Sequence, residues 1–117
     1  MPHILESIRS DVRDCIQNCT DCHQVCEETL TYCLEKGGDF ARADHLRLLR
    51  DCIQICETSA DFMLRNSTLH QRTCAVCAEI CERCAESCDL LSKDKKLKTC
   101  AEVCRRCAAS CREMAKL

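Results

Sequence analysis

Apolar positions recur along the chain at intervals of three and four, with Glu, Lys, Arg and Asp filling the places between them. That is the pattern of an amphipathic helix. No stretch alternates with the period of two that marks a strand. Breaks are few. Gly37-Gly38 is the strongest, with Lys36-Gly37 reading as a helix C-terminus. A weaker break falls at Asn66-Ser67, where Ser67 suits an N-cap, and a third at 92–96, where Ser92 or Asp94 could start a new helix. The pattern predicts helices over residues 4–36, 40–65, 68–91 and 94–116 of a single domain spanning 1–117. Four helices with short connections predict an all-α, antiparallel up-down-up-down four-helix bundle.

The residues on the inward stripe are unusual. Of 117 residues, 16 are cysteine, whereas Leu, Ile, Val and Phe together make up about a fifth of the chain, close to the level at which a core fails. In the first segment Cys15, Cys19, Cys22, Cys26 and Cys33 project within about 60° of one another at 100° per residue. Cys74, Cys77, Cys81, Cys84 and Cys88 form a similar stripe in the third, and Cys100, Cys104, Cys107 and Cys111 in the fourth. These are seam positions normally held by Leu and Ile. The last two segments repeat one unit, Cys81 to Cys88 paralleling Cys104 to Cys111. The second segment has Cys52 and Cys56 alone, and its stripe extends through His45, Leu48 or Leu49, Ser59 and Met63. His70 stands one turn before Cys74, and Met114 lies at the stripe's edge after Cys111. His23 falls on the flank, and His3 is far from the stripe.

A lone buried cysteine behaves as a small hydrophobe. Sixteen in helical register would pack poorly and oxidise readily, so the stripe reads as a ligand array. The CxxC pairs lie within continuous helix and lack the tight turns of a zinc knuckle. The ferredoxin run of cysteines, the βαβ setting of a thioredoxin motif and the Glu-x-x-His of di-iron bundles are all missing. Soft thiolate and thioether ligands select Cu(I), zinc or iron–sulfur clusters. Charge favours Cu(I): as many Cu(I) ions as thiolates give a neutral core, whereas each Zn(Cys)4 unit keeps two negative charges. If each ion binds two thiolates and each thiolate bridges two ions, the load is roughly one Cu(I) per cysteine. The expected ligands are all sixteen cysteines, joined by His45, Met63 and His70.

The spaced cysteines of 15–26, 52–56, 74–88 and 100–111, with His45-Leu46 ahead of Cys52, resemble the cytosolic branch of the bacterial copper storage proteins. The likeness covers nearly the whole chain. It implies a four-helix bundle holding many Cu(I) ions along its core, as a homotetramer. One feature differs: the connection between the third and fourth helices carries no histidine. The corresponding expectation is that His45 marks the end where copper is admitted.

The remaining properties set the surroundings. Net charge is −2, from 17 basic and 19 acidic residues, which offers no electrostatic footing for nucleic acid. No apolar run reaches the roughly 20 residues of a membrane span. The start, Met1 to Glu6, does not read as a secretory signal, so a cytoplasmic protein loaded by a copper carrier is expected, with no enzymatic turnover. The alternatives are a zinc or mixed-metal buffer of about four or five ions, a thiol/disulfide reservoir, and an iron–sulfur carrier.

Overall fold

The computed structural model describes residues 8–91 and 93–116. It contains four α-helices: α1 (Ser10–Lys36), α2 (Ala43–Leu64), α3 (His70–Asp89) and α4 (Lys95–Ala115), with a 3₁₀ turn, Gly38–Ala41, between the first two. No strand occurs among the described residues. Each helix packs on the next and α4 closes against α1, while the diagonal pairs keep their backbones apart and meet only through side chains at the axis. Contacts between Cys15 and Cys111 at one end of the α1–α4 seam, and Cys26 and Cys100 further along, fix those helices as antiparallel. The pairs Cys22–Cys52 and Cys33–His45 do the same for α1 and α2. The result is an up-down-up-down bundle measuring 49 × 25 × 19 Å.

The helix ends follow local chemistry. Gly37, at φ 69°, takes a positive-φ conformation that ends α1, and its N–H bonds Cys33 O. Asn66, at φ 53°, does the same for α2: Ser67 N–H reaches back to Phe62 O and Asn66 N–H to Met63 O. That motif pulls Ser67 into the turn, where its hydroxyl accepts from Leu69 N–H, so α3 starts at His70 and Ser67 is not its cap. Asp94 caps α4, accepting from the N–H groups of Lys96 and Leu97. It also accepts from the Tyr32 hydroxyl of α1 at 2.5 Å. Tyr32 meets Phe40 edge-on, and Lys36 lies over both rings. One end of the bundle is therefore tied across three elements. Helix α1 starts at Ser10, with Ile8 and Arg9 outside it, and residues 4–7, expected in that helix, lie outside the described residues, as does Ser92.

The two halves of the bundle are packed differently. Between α3 and α4 the flanks of the cysteine seam are buried alanines: Ala78, Ala85, Ala101 and Ala108. Small side chains let these helices approach closely, and ion pairs Arg105–Asp89 and Arg112–Glu82 cross their outer face. Helices α1 and α2 are flanked by larger, half-buried residues such as Ile16, Leu30, Leu46 and Ile53.

Candidate metal centre

All sixteen cysteines are unpaired and fully buried. They converge because helix α1 sends one every three or four residues to the axis, and the other helices supply partners at the same levels. The sulfurs touch. Cys22 Sγ lies 3.6 Å from Cys52, 3.7 Å from Cys104 and 3.9 Å from Cys26. Cys52 lies 3.6 Å from Cys81, and Cys56 is 3.7 Å from Cys81 and 3.8 Å from both Cys77 and Cys107. Cys19 continues the run, 3.7 Å from Cys107 and 3.6 Å from Cys111, which reaches Cys15 at 3.6 Å. The sulfurs form one column along the bundle axis.

Within that column, four groups of four sulfurs have every member within 4.8 Å of the others. They are Cys22/Cys26/Cys52/Cys104, then Cys22/Cys52/Cys56/Cys81, then Cys56/Cys77/Cys81/Cys107, then Cys19/Cys77/Cys107/Cys111. Each group shares two sulfurs with the next. Among the described residues no comparable group of His, Asp or Glu occurs on the surface.

The end nearest the Gly37-Gly38 turn is different. Between the Cys26–Cys100 contact and the Cys33–His45 pair, the fully buried Thr29, Leu49 and Leu97 occupy inward places. Thr29 satisfies its hydroxyl on Val25 O at 2.7 Å. Beyond them His45 is 3% exposed, its Nε2 3.5 Å from Cys33 Sγ and its Nδ1 2.6 Å from Ser87 Oγ. In the tautomer protonated at Nδ1, which donates to Ser87, the Nε2 lone pair faces the Cys33 sulfur. Burial, followed by the charges of Cys100, Asp94 and Cys84, pushes the Cys33 thiol up to about 11. Burial also lowers the His45 pKa, against the pull of Cys100 and Asp44. The pair is thus a neutral thiol beside a neutral imidazole. A shallow recess lined by Asp39, Arg42, Asp44 and Leu91 leads to the ring from outside.

At the other end Cys74 bonds the buried Ser59 hydroxyl at 3.3 Å. A bond to Cys111 pulls the Cys74 thiol down, but the bond to Cys15 and burial outweigh it and push it up to about 12. Met63 and Met114 are 2% and 3% exposed. His70 is half-buried and its Nδ1 donates to Ser67 O at 2.9 Å, a backbone partner in the α2–α3 connection. His23 lies on the flank, against Ile53 O and 3.7 Å from Glu57. His3 lies outside the described residues.

Sequence reasoning missed Ser87 and Thr29. Ser87 stands one place before Cys88, off the stripe, and only the position of His45 across the α2–α3 seam gives it a role.

Comparison with known proteins agrees with this geometry. A curated relative, the uncharacterized cysteine-rich protein YhjQ of Bacillus subtilis, is 37% identical over 74 residues, 63% of this chain and 68% of that protein. Among solved structures, the Nmul_A1745 protein of Nitrosospira multiformis is 42% identical, with a TM-score of 0.84 over 91% of this chain and 95% of that one. The Cu(I)-bound copper storage protein BsCsp3 is 34% identical, with a TM-score of 0.82 over 91% and 99%. The family profile described as copper storage protein matches residues 8–116, and the chain belongs to that family.

Proposed function

We propose that this protein stores Cu(I), many ions per chain, on the thiolates of its core, and that it does so without catalytic turnover. The observation that carries the reading is the column itself: sixteen fully buried cysteines, twelve of them with sulfurs within 4.0 Å of another sulfur along the bundle axis. Membership of the copper storage family and the likeness to a Cu(I)-bound relative support it. The chemistry agrees. Cu(I) is soft and monovalent, so loading replaces each S–H proton with one positive charge and leaves the buried core neutral. Neighbouring sulfurs at van der Waals distance allow one thiolate to bridge two ions. Enclosure by four helices keeps the bound ions from water and oxidants.

All sixteen cysteines serve as ligands in this reading, with His45 paired to Cys33 at one end and Met63 and His70 available at the other. The recess beside His45 is where copper is handed in, from a carrier in the cytoplasm. A single bundle domain is the working unit, assembled as a homotetramer.

Anaerobic titration of the fully reduced apo-protein with Cu(I), against a chromophoric chelator, tests the reading. Saturation on the order of sixteen Cu(I) per chain is expected from ligand counting. Saturation at about four or fewer would overturn storage.

A further inference from the structure

We propose that the same column is also a binding site for divalent d10 ions, Zn(II) in the cell, and that it holds two of them per chain. The inference uses the sulfur geometry alone and stands apart from the copper reading.

A tetrahedral Zn(Cys)4 centre with Zn–S bonds of about 2.3 Å has sulfur–sulfur edges of about 3.8 Å. Many sulfur–sulfur edges within the four groups lie between 3.6 Å, at Cys22–Cys52, and 4.0 Å, at Cys77–Cys107, and none exceeds 4.8 Å. Each group is therefore close to the size of a tetrahedral thiolate shell before any metal arrives. The limit on occupancy comes from sharing. Adjacent groups have two sulfurs in common: Cys22 and Cys52, then Cys56 and Cys81, then Cys77 and Cys107. Two tetrahedra joined by an edge of that length have centres about 2.7 Å apart. Doubly charged ions repel about four times as strongly as singly charged ones at the same separation. Monovalent Cu(I) can occupy neighbouring groups; Zn(II) must take groups with no sulfur in common.

No three of the four groups are disjoint, so the maximum is two. The pair that lies furthest apart is Cys22/Cys26/Cys52/Cys104 with Cys19/Cys77/Cys107/Cys111. Cys56 and Cys81 then remain as thiols between the ions. They are placed to donate S–H bonds to metal-bound thiolates, Cys81 to Cys52 at 3.6 Å and Cys56 to Cys107 at 3.8 Å. Cys100 and Cys15 do the same from outside, to Cys26 at 3.8 Å and Cys111 at 3.6 Å. Those donors spread the two negative charges that each filled tetrahedron retains. Each ion displaces four thiol protons.

The groups make a specific forecast for single substitutions. Loss of Cys22 destroys the first two groups, and the two that survive share Cys77 and Cys107, so only one ion fits. Loss of Cys107 destroys the last two groups and again leaves room for one. Loss of Cys56 destroys the two middle groups and leaves the outer pair intact, so two ions still bind.

The test is titration of the reduced, metal-free full chain with Cd(II) and with Zn(II) under a competing chelator. Thiolate-to-Cd(II) charge-transfer absorption and native mass spectrometry give the count, and a pH indicator gives the protons released. Two ions and about eight protons per chain are expected for the unaltered protein, one ion for Cys22→Ser and for Cys107→Ser, and two for Cys56→Ser. Any count other than two for the unaltered chain, a fall to one in Cys56→Ser, or retention of two in either Cys22→Ser or Cys107→Ser would overturn the inference. Circular dichroism checks that each variant folds; should one fail, the other, with the unaltered chain and Cys56→Ser, still decides. Cu(I) titration of the same samples separates this result from storage, since a copper failure leaves the divalent count unchanged.

Discussion

The middle of the column and its His45 end are built from different ligand sets. In the middle, Cys22, Cys56 and Cys107 each touch three or more other sulfurs. At the end, Cys33 makes its contact with an imidazole, behind an inward layer of Thr29, Leu49 and Leu97. One seam thus divides labour between its middle and its end. Sulfur that touches sulfur provides bridging and so capacity. A lone thiol beside a neutral nitrogen provides a discrete two-ligand position, suited to receiving one ion from outside.

Removing sulfur from the middle should have the largest effect. Replacing Cys22, Cys52, Cys56 and Cys81 together by Ser should lower Cu(I) capacity by at least about four ions, and should also cut the column in two. Chelator-competition titration reads this directly, and an unchanged capacity would show that the middle is not where copper resides.

The proton balance gives a second, smaller contrast. The first ions to bind the column, each held by two thiolates not yet shared with another ion, displace two protons, so their affinity should fall about a hundredfold for each pH unit lost below the thiol pKa values. The Cys33–His45 position should fall about tenfold per unit. Burial raises the Cys33 pKa and lowers that of His45, so at neutral pH the thiol gives up a proton and the imidazole has none to give. Titrations between pH 6 and 8 on the unaltered chain and on Cys33→Ser would collapse the comparison if the slopes were identical.

The smallest effects should come from the nitrogen side of the end site. His45→Phe should slow Cu(I) uptake several-fold in stopped-flow traces while changing capacity by about one ion at most. Ser87→Ala should act in the same direction but more weakly, weakening the end position by about tenfold, because it frees the ring without removing it. The nitrogen-15 shifts of His45 should report loss of the fixed tautomer in Ser87→Ala. Uptake by His45→Phe at the unaltered rate would move the point of admission to the other end, where Met63 and Met114 are buried.

Much of this was legible in the sequence, because helical periodicity is a strong signal and cysteine marked the buried face of three helices directly. The second helix was harder to read. Its stripe left Leu48 and Leu49 undecided, and the structure buries Leu49 fully while leaving Leu48 half-exposed. Thr29 was invisible because a polar residue at a seam position looks like a gap, and its bond to Val25 O, which makes burial tolerable, is not a pattern of letters. Ser87 was invisible for a different reason. Its importance depends on α2 and α3 lying side by side in one register, and single-sequence periodicity carries no information across helices. The start of α3 was the least legible, since Asn66 placed turn residues where the Ser67 cap was expected, whereas Asp94 caps α4 as its place in the sequence suggests.

The column's enclosure has a consequence for the order in which cargo leaves. Four helices wall the sulfurs off along their length, so an ion in the middle reaches solvent by passing from thiolate to thiolate past those nearer the end. Such a store behaves as a stack, in which the last ion in is the first out. Copper of one isotope loaded first and of another loaded last should therefore appear at a chelator in reverse sequence, and a random mixture of isotopes would mean that the walls open between the helices.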